Sequence, residues 1–418
     1  MGKNNMGLLS PYRVLDLCDE KGVMCGRVLG DFGADVIKVE RPCGDRCRNI
    51  GPFYHDITHP EKSLFWFAYC ANKRGITLNI KSAGGKEIFK NLVKTADVVV
   101  ESFPPGYMDS LGLGYTELSR VNPSLIMTSI TPFGQTGPYK HFKGPDLVTW
   151  SIGGMTQVSG YPDRPPLRVS FAQSYPQGGA VGAVGTIFAL YYRTVSGEGQ
   201  YVDVSIQEQV VRILCNVRHF WDVCHINLSR SGQNRVGLSS ASNNRLIWQC
   251  KDGYVCFNTA FGAGPSGRSN QGLIDWMNSE GIKDDYLNSI DWSTYSVAQT
   301  TEEQFARMEI PISKFFMKHT MNELFEGAIE RRVMIYPAYS AKEIVEDSQL
   351  SDRGFLQKLE HPELGETITY PGAFVKLSAT ESGLRRRAPL IGEHNKEVYA
   401  DLGLSDEDLL MLKQSEVI

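Results

Sequence analysis

The chain has 418 residues, of which 42% are hydrophobic and 22% are charged, and its formal net charge is −4 at pH 7. This length and composition predict a globular protein of two or three domains with a large buried core. Because the net charge is small, no overall field attracts nucleic acid or an anionic membrane, and neither is an expected partner.

The N-terminal stretch MGKNNMGLLSPYRVLDL contains no apolar run of the length that a signal peptide or a membrane span requires. Nine cysteines are scattered along the chain. Without an export signal they are expected to be reduced thiols, which predicts a cytoplasmic protein. Cys43 and Cys47 form a close pair, but no second pair at zinc-ligand spacing accompanies them, so no metal site is predicted.

Strand-like runs alternate with helical patterns in the N-terminal part of the chain. Tyr12–Leu17 is a short strand-like run, Ala34–Glu40 has the pattern of a buried strand, and the segment between them has apolar residues at helical spacing. The same alternation continues to Asp97–Ser102 and Asn122–Thr131. Repeated strand-helix-strand units predict a parallel, Rossmann-like sheet.

The remaining chain predicts a mixture of helices and weaker strands. No strand-like run is followed by GxGxxG, so a nicotinamide cofactor is not expected. The small apolar residues of Gly178–Tyr192 predict a buried helix. Between residues 226 and 330 the composition shifts toward polar residues, with a strand-like run at Tyr254–Thr259, which predicts a smaller second domain. Ser405–Gln414 has the pattern of an amphipathic helix.

A series of motifs resembles the family III coenzyme A transferases, the group that includes formyl-CoA and carnitine-CoA transferases. In chain order they are ADVIKVERP from Ala34, NKRGITLNIKSAGG from Asn72, ADVVVESFPPG from Ala96, LGLGY from Leu111, NPSLI from Asn122 and FGQTGPY from Phe133. The resemblance resumes with GEGQYVDVS from Gly197, EHPELG from Glu360 and RRAPLIGEH from Arg386. It covers nearly the whole chain and is weakest between residues 226 and 330.

This resemblance implies an α/β fold with a Rossmann-like large domain at 1–225, a smaller α+β domain at 226–330, and a segment at 331–418 that returns to the large domain. Family members form interlocked dimers, in which each chain is an open ring threaded through the other. The implied ligand is coenzyme A or an acyl-CoA, held as a substrate rather than as a covalent cofactor. The family's CoA-contacting positions fall on five residues of this sequence, Arg41, Leu78, Lys81, Phe103 and Lys143.

The family's nucleophilic aspartate has no counterpart in this sequence. Counting back without a gap from GQYVDVS puts Tyr175 at its position, and no Asp or Glu occurs between Asp163 and Glu198. A phenol cannot form the anhydride and thioester intermediates that the family's carboxylate forms. Asp146 matches an acidic family position, where it is either an auxiliary acid or the cap of a helix that begins near Leu147.

Two functions are therefore predicted. The first is a non-catalytic subunit of a CoA-transferase, partnered with a homologous subunit that carries the aspartate, as in the heteromeric succinyl-CoA:benzylsuccinate type. The alternative is an independently active homodimer that isomerises, racemises or cleaves acyl-CoA by acid–base chemistry. Pro176 further predicts extended backbone at Tyr175, because a proline disfavours helical geometry in the residue before it.

Overall fold

A computed structural model describes residues 7–235, 244–259, 265–296 and 299–418 of the chain. The chain divides into two compact units. The first unit consists of Met1–Gly154, Val169–Leu214 and Ser348–Ile418, and the second of Met155–Arg168 and Cys215–Asp347. The domain limits at 225 and 330 stay a prediction. The main segment of the second compact unit begins after Leu214 and ends at Asp347.

Six parallel strands form the central sheet of the first unit. They are β1 (Arg13–Asp16), β2 (Asp35–Glu40), β3 (Lys73–Thr77), β4 (Val98–Glu101), β5 (Ile126–Thr131) and β6 (Tyr201–Ser205). Their order is β3-β2-β1-β4-β5-β6, and all neighbouring pairs are parallel. The predicted α/β, Rossmann-like sheet is confirmed. Strand β3 was missed because its sequence KRGIT has two charged residues and a glycine.

The strands alternate with helices. Within the first unit these are α1 (Val23–Asp31), α2 (Leu64–Cys70), α3 (Ala83–Lys94), α4 (Tyr107–Ser110), α5 (Tyr115–Val121), α6 (Asp146–Ile152), α7 (Ser174–Ser196) and α8 (Ile206–Ile213). Short 3-10 helices lie at Arg46–Asn49 and Tyr54–Asp56. Helix α7 contains the predicted apolar helix and ends where Gly197 adopts a left-handed backbone with φ of 76°.

The second unit combines helices with short antiparallel strands. Its helices are α9 (Cys215–Cys224), α10 (Pro265–Ser279), α11 (Asp285–Ser289), α12 (Glu302–Phe316), α13 (Met321–Arg331) and α14 (Ala341–Glu346). Strands β7 (Asn234–Arg235) and β8 (Asn244–Arg245) pair with each other, while β9 (Ile247–Gln249), β10 (Tyr254–Phe257) and β11 (Ile335–Pro337) form a three-stranded sheet. This agrees with the predicted α+β character.

The last part of the chain belongs to the first unit. It contains α15 (Ser348–Asp352), a hairpin of β12 (Leu356–His361) and β13 (Glu366–Pro371), α16 (Asn395–Ala400) and α17 (Asp406–Gln414). Helix α17 coincides with the predicted amphipathic helix. Among the described residues, no helix has both the length and the apolar content needed to cross a membrane.

The central sheet is buried on both faces. Val14 and Val36 belong to one apolar cluster, and Leu15 and Ile37 belong to another. Because successive side chains of a strand point to opposite faces, a strand covered on both sides appears as a continuous apolar run. Helices α1 and α7 contribute to the first cluster, while α3 and the segment after residue 395 contribute to the second.

Two fully buried lysines connect the strands to the loops that follow them. The Nζ atom of Lys73 lies 2.7 Å from Oδ2 of Asp16 and 2.9 Å from the carbonyl oxygen of Val23. The Nζ atom of Lys38 lies 3.0 Å from Oδ2 of Asp45. These ion pairs hold the start of α1 and the loop after β2 against the sheet.

Candidate functional site

A cavity of about 880 Å³ opens at the carboxyl ends of the parallel strands. Residues that directly follow four strands line it: Leu17 after β1, Arg41 after β2, Leu78 after β3, and Ser102 after β4, with Phe103 next in the chain. The neighbours β1 and β4 are the strands at which the order reverses direction. In open α/β sheets, ligands bind at this point because the loops on its two sides diverge and leave a crevice.

The structure brings together four of the five residues predicted to contact CoA. Arg41, Leu78, Lys81 and Phe103 all line the cavity. Lys143 does not line it and is exposed in the segment before α6. The binding roles of these residues stay predictions, but their common location suits a single ligand.

The cavity has an apolar part and a cationic part. Leu17, Leu78 and Ile80 are apolar, and the rings of Phe103 and Tyr107 lie with their centroids 4.8 Å apart. The cationic lining consists of Lys21, Arg41, Arg46 and Lys81. Such a surface suits a ligand with both an aromatic and an anionic portion, because apolar walls hold a ring while Arg and Lys bind phosphate.

The basic residues of the cavity differ in whether they form salt bridges with acidic residues of the protein. Across the described residues, neither Arg41 nor Lys81 takes part in a salt bridge. Two acidic residues of the lining have partners of their own: Glu40 pairs with the buried Arg48 at 2.6 Å, and Asp45 pairs with Lys38. Arg41 and Lys81 therefore remain available for an anionic ligand.

Tyr175 lies in the first turn of α7, and 9% of its surface is exposed. Its hydroxyl donates a hydrogen bond to the carbonyl oxygen of Gly144 at 2.9 Å. Burial raises the pKa of the phenol well above its usual value, and the negative charges of Glu20, Asp19 and Asp146 raise it further. The phenol is therefore protonated at neutral pH and already acts as a donor to the backbone.

Asp146 stabilises the start of α7. Its Oδ1 atom accepts hydrogen bonds from the backbone amides of Ser174 and Tyr175 at 2.8 and 3.2 Å, and from the Ser174 hydroxyl at 2.7 Å. The prediction that it caps a helix beginning near Leu147 is wrong, because α6 begins at Asp146 itself and the carboxylate caps α7 instead. A carboxylate at a helix N-terminus also interacts favourably with the helix dipole.

The extended backbone predicted at Tyr175 is also wrong. Tyr175 and Pro176 both lie in the first turn of α7. A proline is tolerated there because the first backbone amides of a helix have no intrahelical acceptor. The contacts of Asp146 with Ser174 and Tyr175 outweigh the local preference of the residue before proline.

Sequence reasoning missed the charged residues Asp19, Glu20 and Arg46, whose charges act on Tyr175. Asp19, Glu20 and Lys21 form the loop after β1, and Arg46 donates from Nη2 to Oε1 of Glu20 at 2.8 Å. The other carboxylate oxygen of Glu20 is buried and has no hydrogen-bond partner in the described part of the chain. Burial raises the pKa of Glu20, and the charge of Asp19 adds to that effect. Three consecutive charged residues that begin three positions after the buried strand β1 were the available signal.

Glu101, at the end of β4, makes the stability of the protein depend on pH. Its side chain is almost fully buried, accepts a hydrogen bond from the Phe103 amide at 2.7 Å and interacts with the Ser129 hydroxyl. Burial raises its pKa from 4.5 to about 7. Between these two values the folded state binds more protons than the unfolded state, so stability falls as pH rises through that window.

We expect Glu101→Gln to be more stable than the wild type at pH 8, by on the order of 3 kcal/mol, because each unit of pKa shift corresponds to about 1.4 kcal/mol. Below about pH 4 this advantage should disappear, since the carboxyl is then neutral in both the folded and the unfolded state. Urea unfolding at about pH 4, 6, 7 and 8 measures the effect. The exposed Glu87→Gln serves as control, and a gain that does not depend on pH would contradict the prediction.

Known proteins resemble this chain over nearly its whole length. Residues 9–395 match the model of CoA-transferase family III. The chain is 33% identical over 395 residues, 94% of each protein, to succinyl-CoA:(R)-benzylsuccinate CoA-transferase subunit BbsE of Thauera aromatica. It is 32% identical over 413 residues, 98% of each, to succinyl-CoA–D-citramalate CoA-transferase of Chloroflexus aurantiacus. The fold matches a CAIB/BAIF family protein from Brucella suis with a TM-score of 0.81 and 26% identity, covering 95% of this chain and 100% of that one.

Proposed function

The chain belongs to CoA-transferase family III, as its motifs predicted, and from this premise we propose that it is the non-catalytic subunit of a heteromeric CoA-transferase. One observation carries the proposal. A buried, protonated tyrosine, Tyr175, occupies the position that the family resemblance assigns to the nucleophilic aspartate, and its hydroxyl is already bonded to the Gly144 carbonyl. The partner is a homologous subunit that supplies the aspartate.

The chemistry of the family explains why a tyrosine does not suffice. A carboxylate attacks the thioester carbonyl of the donor, CoA leaves as a thiolate, and a mixed anhydride forms. The thiolate then attacks the enzyme's own acyl carbon and displaces the donor acid, which leaves an aspartyl thioester for the acceptor acid. A phenol that attacked the thioester would give an aryl ester rather than an anhydride, and it has no acyl carbon for the thiolate to attack, so Tyr175 cannot complete this sequence.

The lining of the cavity supports a retained site for the nucleotide part of CoA. We assign the phosphates to Arg41 and Lys81, which have charged groups without an internal partner. The adenine ring then lies against Leu78 and Phe103. Lys143, predicted from the resemblance alone, is not part of this assignment because it lies outside the cavity.

We expect Arg41→Ala to weaken CoA binding about 10- to 100-fold, because a hydrogen bond to a charged group contributes about 1.5–3 kcal/mol. Lys143→Ala is the matched control and should bind CoA as the wild type does. Isothermal titration calorimetry measures both. Unchanged affinity of Arg41→Ala would make Arg41 a surface charge, and absence of CoA binding by the wild type would mean that the site is no longer functional.

An exposed apolar stripe on α7 supports a partner chain. Its members are large side chains that are 50% to 78% exposed, namely Val184, Phe188, Tyr191, Tyr192 and Val195. Their spacing puts them on one side of the helix. Contiguous exposed apolar surface of this kind marks protein interfaces. The similarity to a protein named as a CoA-transferase subunit points to a homologous chain as the occupant, and an interlocked arrangement stays part of the proposal.

The relatives' names also suggest substrates. We propose succinyl-CoA as donor and benzylsuccinate as acceptor of the complete enzyme. The predicted cytoplasmic location is retained in this proposal, and all nine cysteines are unpaired thiols.

One observation favours the alternative, an acid–base enzyme acting on acyl-CoA. Glu20 has a buried oxygen without a partner, and its charge reaches Tyr175. Such a carboxylate suits proton transfer at the carbon next to a thioester. The test incubates an acyl-CoA with the isolated protein in deuterated water and monitors that carbon by NMR. Incorporation of deuterium there would favour this alternative.

A further inference from the structure

The residue at the end of α17 has an unusual backbone conformation for its type. Glu416 has φ of 54°, in the left-handed region. Its amide donates to the carbonyl oxygen of Lys413 at 3.1 Å, and the amide of Val417 donates to that of Leu412 at 2.9 Å. These bonds form a Schellman motif, in which the left-handed position is usually glycine because other residues crowd their own Cβ there. A glutamate at this position suggests that its side chain has a use.

The two residues after Glu416 fix it against the sheet. Val417 and Ile418 are 7% and 8% exposed and belong to the same apolar cluster as Leu78. The amide of Asn79 donates to the carbonyl oxygen of Val417 at 2.7 Å. Glu416 is therefore held next to the strand end that supplies Leu78 to the cavity.

Glu416 forms part of the cavity wall, close in the chain to these anchored residues. It makes no salt bridge to any described residue. Glu416 is exposed, and because a carboxylate only accepts hydrogen bonds, a ligand group that bonds to it has to be a donor. The phosphates of a nucleotide offer none, whereas the exocyclic amine of adenine does.

We propose that Glu416 is a specificity-determining residue, whose carboxylate accepts a hydrogen bond from the exocyclic amine of the adenine base. This inference rests on the proposed binding of the CoA nucleotide. The flat base fits between the apolar side chains of Leu78 and Ile80 and the rings of Phe103 and Tyr107. Because Val417, the residue after Glu416, is bonded to Asn79, which directly follows Leu78, Glu416 lies beside the residue against which that base is placed.

The experiment compares two ligands that differ in this group. Inosine diphosphate carries a carbonyl oxygen where adenosine diphosphate carries the amine. By calorimetry, the wild type should bind ADP about tenfold more tightly than IDP, and Glu416→Gly should bring that ratio close to one. The same substitution should raise the melting temperature by about 1–3 °C, because glycine adopts the left-handed conformation without strain.

Arg332→Gly is the matched control. Arg332 ends α13 in the second unit with φ of 57°, in the same kind of left-handed turn. It should raise the melting temperature as well and leave the ratio of ADP to IDP affinity unchanged. If altered stability alone were the cause of lost selectivity, Arg332→Gly would lose it as well.

The outcomes separate the inference from the function on which it rests. If the wild type binds neither CoA nor ADP, both the proposed nucleotide site and the inference are overturned. If it binds them and Glu416→Gly keeps the wild-type ratio, the inference fails while the nucleotide site stands. If Glu416→Gly lost affinity for ADP and IDP equally, Glu416 would contact the ribose that both ligands share, and its role at the base would be overturned.

Discussion

Purified without a partner chain, the protein is expected to transfer no CoA from succinyl-CoA to benzylsuccinate. Enzymes commonly turn over about 1 to 1000 times per second, and this chain should stay at the uncatalysed background. The reason is that Tyr175 offers a protonated phenol where the reaction needs a carboxylate. Activity should appear when a homologous subunit with the aspartate is added.

The measurement uses the chain with an affinity tag in its native host. Native mass spectrometry of the purified complex should identify a second family III chain, and CoA transfer should be present in that complex and absent after the two chains are separated. Exchange at enzymatic rates by the isolated chain would contradict the prediction.

Tyr175→Asp tests whether the missing carboxylate is the only defect of this site. We expect the variant to stay inactive. A reacting group misplaced by about 1 Å loses on the order of a hundredfold in rate. The new carboxylate would also lie close to the charges of Asp19, Glu20 and Asp146, which disfavour a further negative charge.

Replacing Lys73 by methionine should destabilise the protein by about 3–5 kcal/mol, the usual cost of leaving one member of a buried ion pair without its partner. Lys73 and Asp16 are both fully buried, with Nζ 2.7 Å from Oδ2. Asp16 also accepts from the Cys18 amide through its other oxygen at 2.9 Å. Loss of Lys73 therefore leaves the buried Asp16 with only the more distant Lys38, whose Nζ is 4.0 Å from Oδ1, at the start of the loop that carries Asp19 and Glu20.

Urea unfolding followed by circular dichroism measures this effect. Lys396→Met is the matched control, because Lys396 pairs with Asp406 at 2.6 Å on the surface, where such a pair contributes at most about 1 kcal/mol. The double variant Lys73→Met with Asp16→Asn should recover part of the loss, since no unpaired charge remains. Equal stability of Lys73→Met and the wild type would show that the pair does not support the fold.

The sequence by itself determined most strands of the sheet and, through the family resemblance, several residues of the ligand cavity. Strands buried on both faces appear as continuous apolar runs, and the carboxyl ends of parallel strands meet at one edge. Arg41, Leu78 and Phe103 were assigned to one site without coordinates through the family resemblance, since the segment before Leu78 lacks the apolar pattern of a buried strand. Family membership followed from the order of the motifs. The absence of a carboxylate near position 175 followed from counting residues back from the motif GQYVDVS.

Only the tertiary structure decided which residues far apart in the chain meet at that edge. It excluded Lys143 from the cavity and brought in Arg46 and Glu416. It also put Tyr175 into a helix, against the preference of a residue before proline, because Asp146 caps that helix from another segment. Local patterns encode periodicity and turn chemistry over a few residues, whereas these contacts depend on how loops and helix ends pack after the sheet has formed, which no local pattern records.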